Sequence, residues 1–128
     1  MTRIMVVNDS MEFLQLMEEL LSDEGYEVTL VETGAGTRAA ARQVRPDLLI
    51  LDVRLPDMSG FEVLNLLRLD PETQSIPVLL CTAAVRDVQA QAPVLEERGV
   101  PVLFKPFDLE DLLRAIQDTL GQRPAERG

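Results

Sequence analysis

The sequence contains no histidine and one cysteine, and only one of its 12 basic residues is a lysine. The absence of histidine excludes His-based catalytic triads, most zinc sites and the most common general base. The single cysteine, Cys81, lies within an apolar run, so a disulfide within the chain is impossible and a buried, inert thiol is expected. Any chemistry must therefore rest on carboxylates, hydroxyls, Cys81, arginines and Lys105.

Long apolar runs and a positive face are also missing. No apolar run approaches the roughly 20 residues needed to cross a bilayer, and the N-terminus lacks the layout of a signal peptide. The net charge of −10 argues against binding to DNA, RNA or anionic membranes. With 128 residues, 46% of them apolar, the chain suits one folded domain. These features predict a soluble, cytoplasmic protein that binds neither nucleic acid nor membrane.

Short apolar runs alternate with helical patterns along the chain. Strands are predicted at residues 4–7, 26–31, 48–51, 77–82 and 100–104, and helices at residues 11–21, 35–44, 60–69, 84–98 and 108–120. Four of the strands are apolar without alternation, which is typical of parallel strands covered by helices on both faces. The pattern predicts a doubly wound α/β domain with a five-stranded parallel sheet in the flavodoxin-like order 2-1-3-4-5. We place this domain at residues 1–121, followed by a C-terminal tail at residues 122–128.

Two local features concern the predicted helices. Pro93 falls inside the fourth helix, so this helix is expected to be kinked or to start late with Pro93 in its first turn. Asp108 is predicted to be the N-cap of the last helix.

Polar side chains stand where the predicted strands end. They are Asn8 and Asp9 after the first strand, Asp52 after the third, Thr82 at the end of the fourth and Lys105 after the fifth. In the flavodoxin-like order, these ends meet at one edge of the sheet, at the switch point between the first and third strands. Two nearby carboxylates favour a cation between them, and Mg²⁺ takes oxygen ligands of this kind.

The same groups suit the transfer of a phosphoryl group. The Asp52 carboxylate can attack phosphorus and form an aspartyl-phosphate, while a metal beside it neutralises the incoming charge. Lys105 would then pair with one phosphoryl oxygen, and the Thr82 hydroxyl would donate to another.

Four segments at fitting intervals resemble the response-regulator receiver family. They are IMVVND (residues 4–9), DLLILDVRLPDMSG (residues 47–60), PVLLCTA (residues 77–83) and KPF (residues 105–107). The resemblance covers about residues 3–120.

The resemblance implies a role for each residue of the site. Asp52 is the phosphoacceptor and a metal ligand, and Thr82 and Lys105 sense the phosphate. Asp9 binds Mg²⁺ directly, Arg54 binds it through the backbone carbonyl, and Asn8 is a further ligand through water. The Lys105–Pro106 peptide bond is expected to be cis, as in the family.

The sequence departs from the family pattern at two positions. Asn8 stands where the family usually has an acid, so weaker Mg²⁺ binding is expected. Val102 occupies the switch position, three residues before the lysine, where the family often has Tyr or Phe. The rotation of an aromatic ring coupled to Thr82 is therefore not available in its usual form.

Each site residue has a simpler interpretation when taken alone. Asp9 and Glu12 resemble a capping box, so Asp9 could serve only as an N-cap. Asp52 could be a solvated loop acid, Thr82 a strand-end hydroxyl and Lys105 a surface lysine. The prediction depends on the joint pattern of these residues and not on any one of them.

The leading hypothesis is a phosphorylation-dependent switch in a two-component system or phosphorelay, and not an enzyme with separate substrates. A histidine kinase or phosphotransfer protein would donate the phosphoryl group. The output would be contact with a downstream protein, or dimerisation, through the fourth helix, fifth strand and last helix. The alternative is a pseudo-receiver that binds proteins without phosphorylation, which Asn8 and Val102 favour. A flavin- or nucleotide-binding protein is a third hypothesis, although residues 34–36 lack most of a dinucleotide fingerprint.

Overall fold

The computed structural model describes residues 1–121, which form one five-stranded parallel sheet in the order β2-β1-β3-β4-β5. The strands are β1 (Arg3–Val7), β2 (Glu27–Val31), β3 (Leu48–Leu51), β4 (Val78–Thr82) and β5 (Val102–Phe104). The helices are α1 (Met11–Asp23), α2 (Thr37–Val44), α3 (Gly60–Leu69), α4 (Val85–Ala90), α5 (Ala92–Glu97) and α6 (Leu109–Leu120). The predicted fold class and strand order are confirmed. The predicted C-terminal tail, residues 122–128, lies outside the described residues.

The central strands β1, β3 and β4 are buried on both faces, which explains why they are apolar without alternation, whereas the edge strands β2 and β5 are partly exposed. Met5 and Leu49 face a cluster that includes residues from α2 to α5. Ile4 and Ile50 face a second cluster with residues from α1 and α6. Burial of each such side chain contributes about 1.5–3 kcal/mol, so this two-sided core fixes the positions of the strand ends.

The N-termini of α1 and α6 are capped by side chains. The Ser10 hydroxyl accepts a 3.3 Å hydrogen bond from the Phe13 N–H and is the N-cap of α1. The interpretation of Asp9 as the N-cap is therefore wrong, because the helix begins one residue later and leaves Asp9 in the preceding loop. Asp108 caps α6 as predicted, since its carboxylate accepts a 2.8 Å hydrogen bond from the Asp111 N–H.

Pro93 divides the predicted fourth helix into two short helices. The first, α4, ends at Ala90, and α5 begins at Ala92 with Pro93 in its first turn. A proline is tolerated there because the first N–H groups of a helix have no partner within the helix. The predicted place of Pro93 in the first turn of a helix is confirmed, whereas a late start of the fourth helix is wrong, because α4 already begins at Val85.

The fifth strand is shorter than predicted. Val100 is outside it because its N–H donates to the Leu95 carbonyl and closes the end of α5. Pro101 has no N–H to donate, although its carbonyl accepts from the Leu80 N–H on β4. The strand therefore begins at Val102.

Within residues 1–121, no helix is long and apolar enough to cross a bilayer.

Candidate phosphoacceptor site

Asp52 lies at the switch point between β1 and β3. Its N–H donates to the Val7 carbonyl at 3.1 Å, which continues the pairing of the two strands beyond the end of β3. Its carboxylate is buried, and Oδ2 accepts from Asn8 Nδ2 at 2.9 Å and Lys105 Nζ at 3.1 Å. Oδ1 accepts from the Arg54 N–H at 3.2 Å. The buried charge is therefore held by three donors, one of which is cationic.

Lys105 reaches this carboxylate from the end of β5. Its N–H donates to the Thr82 carbonyl at 3.0 Å, which ties the two neighbouring strand ends together. Its ammonium lies over the Phe13 ring, 4.3 Å from the ring centroid. The Lys105–Pro106 peptide bond is cis, as expected. The predicted convergence of Asp52 and Lys105 is therefore present.

Thr82 lies beside Lys105 at the carboxyl end of β4. It is buried, and its Oγ1 accepts a 3.1 Å hydrogen bond from the Ala84 N–H. A hydroxyl that accepts a hydrogen bond still has its own proton to donate. Thr82 therefore retains a donor at the edge of the sheet where Asp52 lies.

Asn8 is buried and is bound at both ends of its carboxamide. Nδ2 donates to Asp52, and Oδ1 accepts a 2.8 Å hydrogen bond from the Ser10 N–H. Asp9 is exposed, and within residues 1–121 none of the donors to the Asp52 carboxylate comes from it. Asn8 thus joins the loop after β1 to the Asp52 carboxylate, while Asp9 faces solvent.

The donor set at this edge fits a hard cation with few protein ligands. Residues 1–121 contain no cluster of three or more acidic, Cys or His side chains that could enclose a metal. Mg²⁺ usually retains several waters and needs only one or two carboxylates. Asp52 supplies one such carboxylate, and the roles of Asp9 and the Arg54 carbonyl as further ligands stay a prediction.

Arg54 connects the loop after β3 to α4. Its side chain is exposed, and Nε lies 3.3 Å from Oδ2 of Asp87. An open cleft of about 440 Å³ lies beside this pair and is lined in part by Met58 and Phe61. Sequence reasoning missed Asp87, because no motif marks it as a partner of Arg54.

Asp57 is a second residue that sequence reasoning missed. Its two carboxylate oxygens accept 2.8 Å hydrogen bonds from the N–H groups of Gly34 and Ala35. These backbone donors lower the pKa of the Asp57 carboxyl. The bonds hold the loop after β2 against the loop after β3, and α2 therefore begins at Thr37 and not at Ala35.

Val102 and Cys81 are part of the core around the site. Val102 is half-buried and packs against the cluster on the α2–α5 side of the sheet. Cys81 is buried, and burial raises the pKa of its thiol to about 12, so it is a neutral core residue as expected. The switch role of Val102 stays a prediction.

The sequence matches a family model described as the response regulator receiver domain over residues 4–117. The chain belongs to the response-regulator receiver family. This receiver domain is 38% identical over 130 residues to the probable transcriptional regulatory protein TcrX of Mycobacterium tuberculosis, with coverage of 98% of this chain and 53% of TcrX. It is 33% identical over 121 residues to protein PilH of Pseudomonas aeruginosa, with coverage of 94% of this chain and 98% of PilH.

A solved structure of a receiver domain has the same fold. It belongs to a sensor histidine kinase of Pseudomonas aeruginosa PAO1 and is described with a magnesium ion coordinated in the active-site cleft. The TM-score is 0.82 at 28% identity, with coverage of 94% of this receiver domain and 98% of that chain. The receiver domain spans about half the length of TcrX and nearly all of PilH. Membership of this family argues against the flavin- or nucleotide-binding hypothesis.

Proposed function

We propose that this receiver domain is a phosphorylation-dependent switch of a two-component system or phosphorelay, with Asp52 as the phosphoacceptor. One observation carries the proposal: the buried Asp52 carboxylate lies at the switch point of the sheet, with the Lys105 ammonium 3.1 Å away. A buried carboxylate held by directed donors is an oriented nucleophile for phosphorus.

Phosphoryl transfer to Asp52 balances in one displacement. A carboxylate oxygen of Asp52 forms the new P–O bond while the P–N bond to the donor histidine breaks, and the electron pair stays on that imidazole. The Lys105 ammonium has two further N–H groups, one of which can bind a phosphoryl oxygen. The Thr82 hydroxyl can donate to another, so the two residues would sense the charge added at Asp52.

Mg²⁺ is the cofactor that the donor chemistry supports. Asp9, Asp52 and the Arg54 carbonyl would bind it, with Asn8 as a further ligand through water. When bound, the metal neutralises charge on the transferring phosphoryl group. The magnesium described for the related kinase receiver domain supports the same metal here.

Output through a protein partner is the second part of the proposal. A histidine kinase or phosphotransfer protein supplies the phosphoryl group, and a downstream protein or a second copy binds the face formed by α4, α5, β5 and α6. Four large apolar side chains on or beside these elements are exposed: Val85, Val94, Phe104 and Leu109. These four side chains are the contacts that we expect a partner to cover.

The decisive experiment is incubation with acetyl phosphate and Mg²⁺ followed by intact mass measurement. We expect one added phosphoryl group on the wild type and none on Asp52→Asn. Absence of added mass, or equal labelling of Asp52→Asn, would refute the proposal.

A pseudo-receiver that binds its partner without phosphorylation is the alternative. Two features favour the pseudo-receiver. The Asn8 carboxamide donates to Asp52 without a metal, and Val102 lacks a ring at the switch position. Partner affinity that does not respond to beryllofluoride would support this alternative. The absence of enzymatic turnover and the cytoplasmic location stay predictions.

A further inference from the structure

Five residues form a closed circuit of contacts around the phosphoacceptor. Asp52 accepts from Asn8, Asn8 accepts from the Ser10 N–H, and Ser10 accepts from the Phe13 N–H. The Phe13 ring contacts the Lys105 ammonium, and the ammonium donates to Asp52, which closes the circuit. Phe13 is therefore the one member that touches Lys105 without being part of the predicted site.

The Phe13 ring is well placed to restrict the lysine side chain. It is half-buried and packs against the core cluster that includes residues of α1 and α6. The Ser10 cap also sets the first turn of α1, from which the ring projects. An ammonium 4.3 Å from a ring centroid lies within the range of cation–π attraction. Lys105 has a flexible four-carbon stem, so the ring restricts its ammonium in addition to the 3.1 Å bond to Asp52.

We propose that Phe13 is a positioning residue for phosphoryl transfer, whose ring holds the Lys105 ammonium beside the Asp52 carboxylate. The inference rests on the proposed function of the same site. The ring attracts the ammonium on one side and Asp52 accepts from it on another. The ammonium keeps further N–H groups that can bind a phosphoryl group on Asp52. Phe13 also links this lysine to α1, and hence to the loop that carries Asn8.

The contact itself can be tested without phosphorylation. Lys105 is the only lysine, so ¹³C-lysine labelling gives a single ε-CH₂ signal in an NMR spectrum. The ring current of Phe13 shifts the ε protons upfield, and Phe13→Leu is expected to remove this shift while Phe13→Trp preserves it. Tyr26→Leu is the matched control, because Tyr26 packs against the same core cluster and should leave the lysine signal unchanged. A lysine signal that Phe13→Leu does not move would overturn the proposal.

The consequence for phosphorylation is tested with a double-mutant cycle. Phe13→Leu is expected to lower the rate of labelling by acetyl phosphate about two- to fivefold, the range that a cation–π contact of ordinary strength supports. In a Lys105→Met background, the same substitution should have no further effect, because Phe13 acts through the lysine. An equal loss in both backgrounds contradicts the positioning role. If the wild type takes up no phosphate, the proposed function fails, and the lysine signal still decides whether Phe13 holds Lys105.

Discussion

Asn8 and Asp52 are joined by a 2.9 Å hydrogen bond from Nδ2 of the carboxamide to Oδ2 of the carboxylate, and both side chains are buried. A carboxylate at position 8 would accept hydrogen bonds only and would repel Asp52. The carboxamide donates instead, so Asn8, Lys105 and the Arg54 N–H together satisfy the Asp52 carboxylate without a metal ion. We therefore expect the resting site to depend less on Mg²⁺ than a site with two acids would.

The substitution Asn8→Asp is expected to tighten Mg²⁺ binding about tenfold, because it adds one negative charge next to Asp52. In the absence of Mg²⁺ it should lower the free energy of unfolding by about 1–3 kcal/mol, because it replaces a buried donor by a second carboxylate. Calorimetric titration with Mg²⁺ and urea unfolding with and without the metal measure the two effects.

The matched control for this charge change is Asn65→Asp. Asn65 is exposed on α3, where its Oδ1 accepts from Arg98, so the same charge is added away from the site. Mg²⁺ affinity should then stay as in the wild type. Equal tightening in both variants would show that the net charge of the domain, and not a charge at position 8, sets the Mg²⁺ affinity.

The convergence at the site could be predicted from the sequence, whereas the contacts around it could not. Apolar runs and their order determine which strand ends meet, and this placed Asp52 near Lys105 correctly. Phe13 and Asp87 were missed because their contacts depend on how α1 and α4 rotate about their axes, which no short motif encodes. The alternative interpretation of Asp9 as the N-cap of α1 was wrong, because the cap is Ser10. Asp9 and Ser10 are both residue types that cap helices, and they stand side by side.

Gly60 is predicted to be intolerant of any side chain. A Cβ atom there would overlap the Asp52 carbonyl oxygen and lie 2.8 Å from the Val53 Cα, both of which are backbone atoms. Gly60→Ala should therefore push α3 away from the phosphoacceptor loop and cost about 3 kcal/mol in the free energy of unfolding. Urea unfolding measures the loss, and the ¹³C signal of Lys105 reports the displacement at the site.

Gly36→Ala is the comparison for Gly60→Ala. Its added Cβ would lie 3.1 Å from the Thr33 side-chain oxygen and 3.8 Å from Val31 Cγ1, and both are side-chain atoms. The cost should stay below about 1 kcal/mol. Similar losses in the two variants would mean that loss of glycine in general, and not the approach of α3 to Asp52, is responsible.

The ion pair between Arg54 and Asp87 is predicted to matter for the position of α4 more than for stability. Both side chains are largely exposed, so Arg54→Ala and Asp87→Ala should each change the free energy of unfolding by less than about 0.5 kcal/mol. Both variants, and the wild type at about 1 M salt, should shift the same amide signals of α4. Different sets of shifted signals would rule out the pair as the shared cause.

The buried thiol of Cys81 gives a prediction for alkaline pH. Burial raises the pKa of Cys81 from 9.0 to about 12, so the thiol loses its proton in the unfolded chain at lower pH than in the folded one. Its ionisation therefore leaves stability unchanged below pH 9.0 and lowers it as the pH rises from 9.0 to about 12. Urea unfolding across this window should show a steeper decline for the wild type than for Cys81→Ala, in which all other titrating groups are retained. Parallel curves for the two proteins would mean that the thiol ionises equally in the folded and unfolded states and that burial does not raise its pKa.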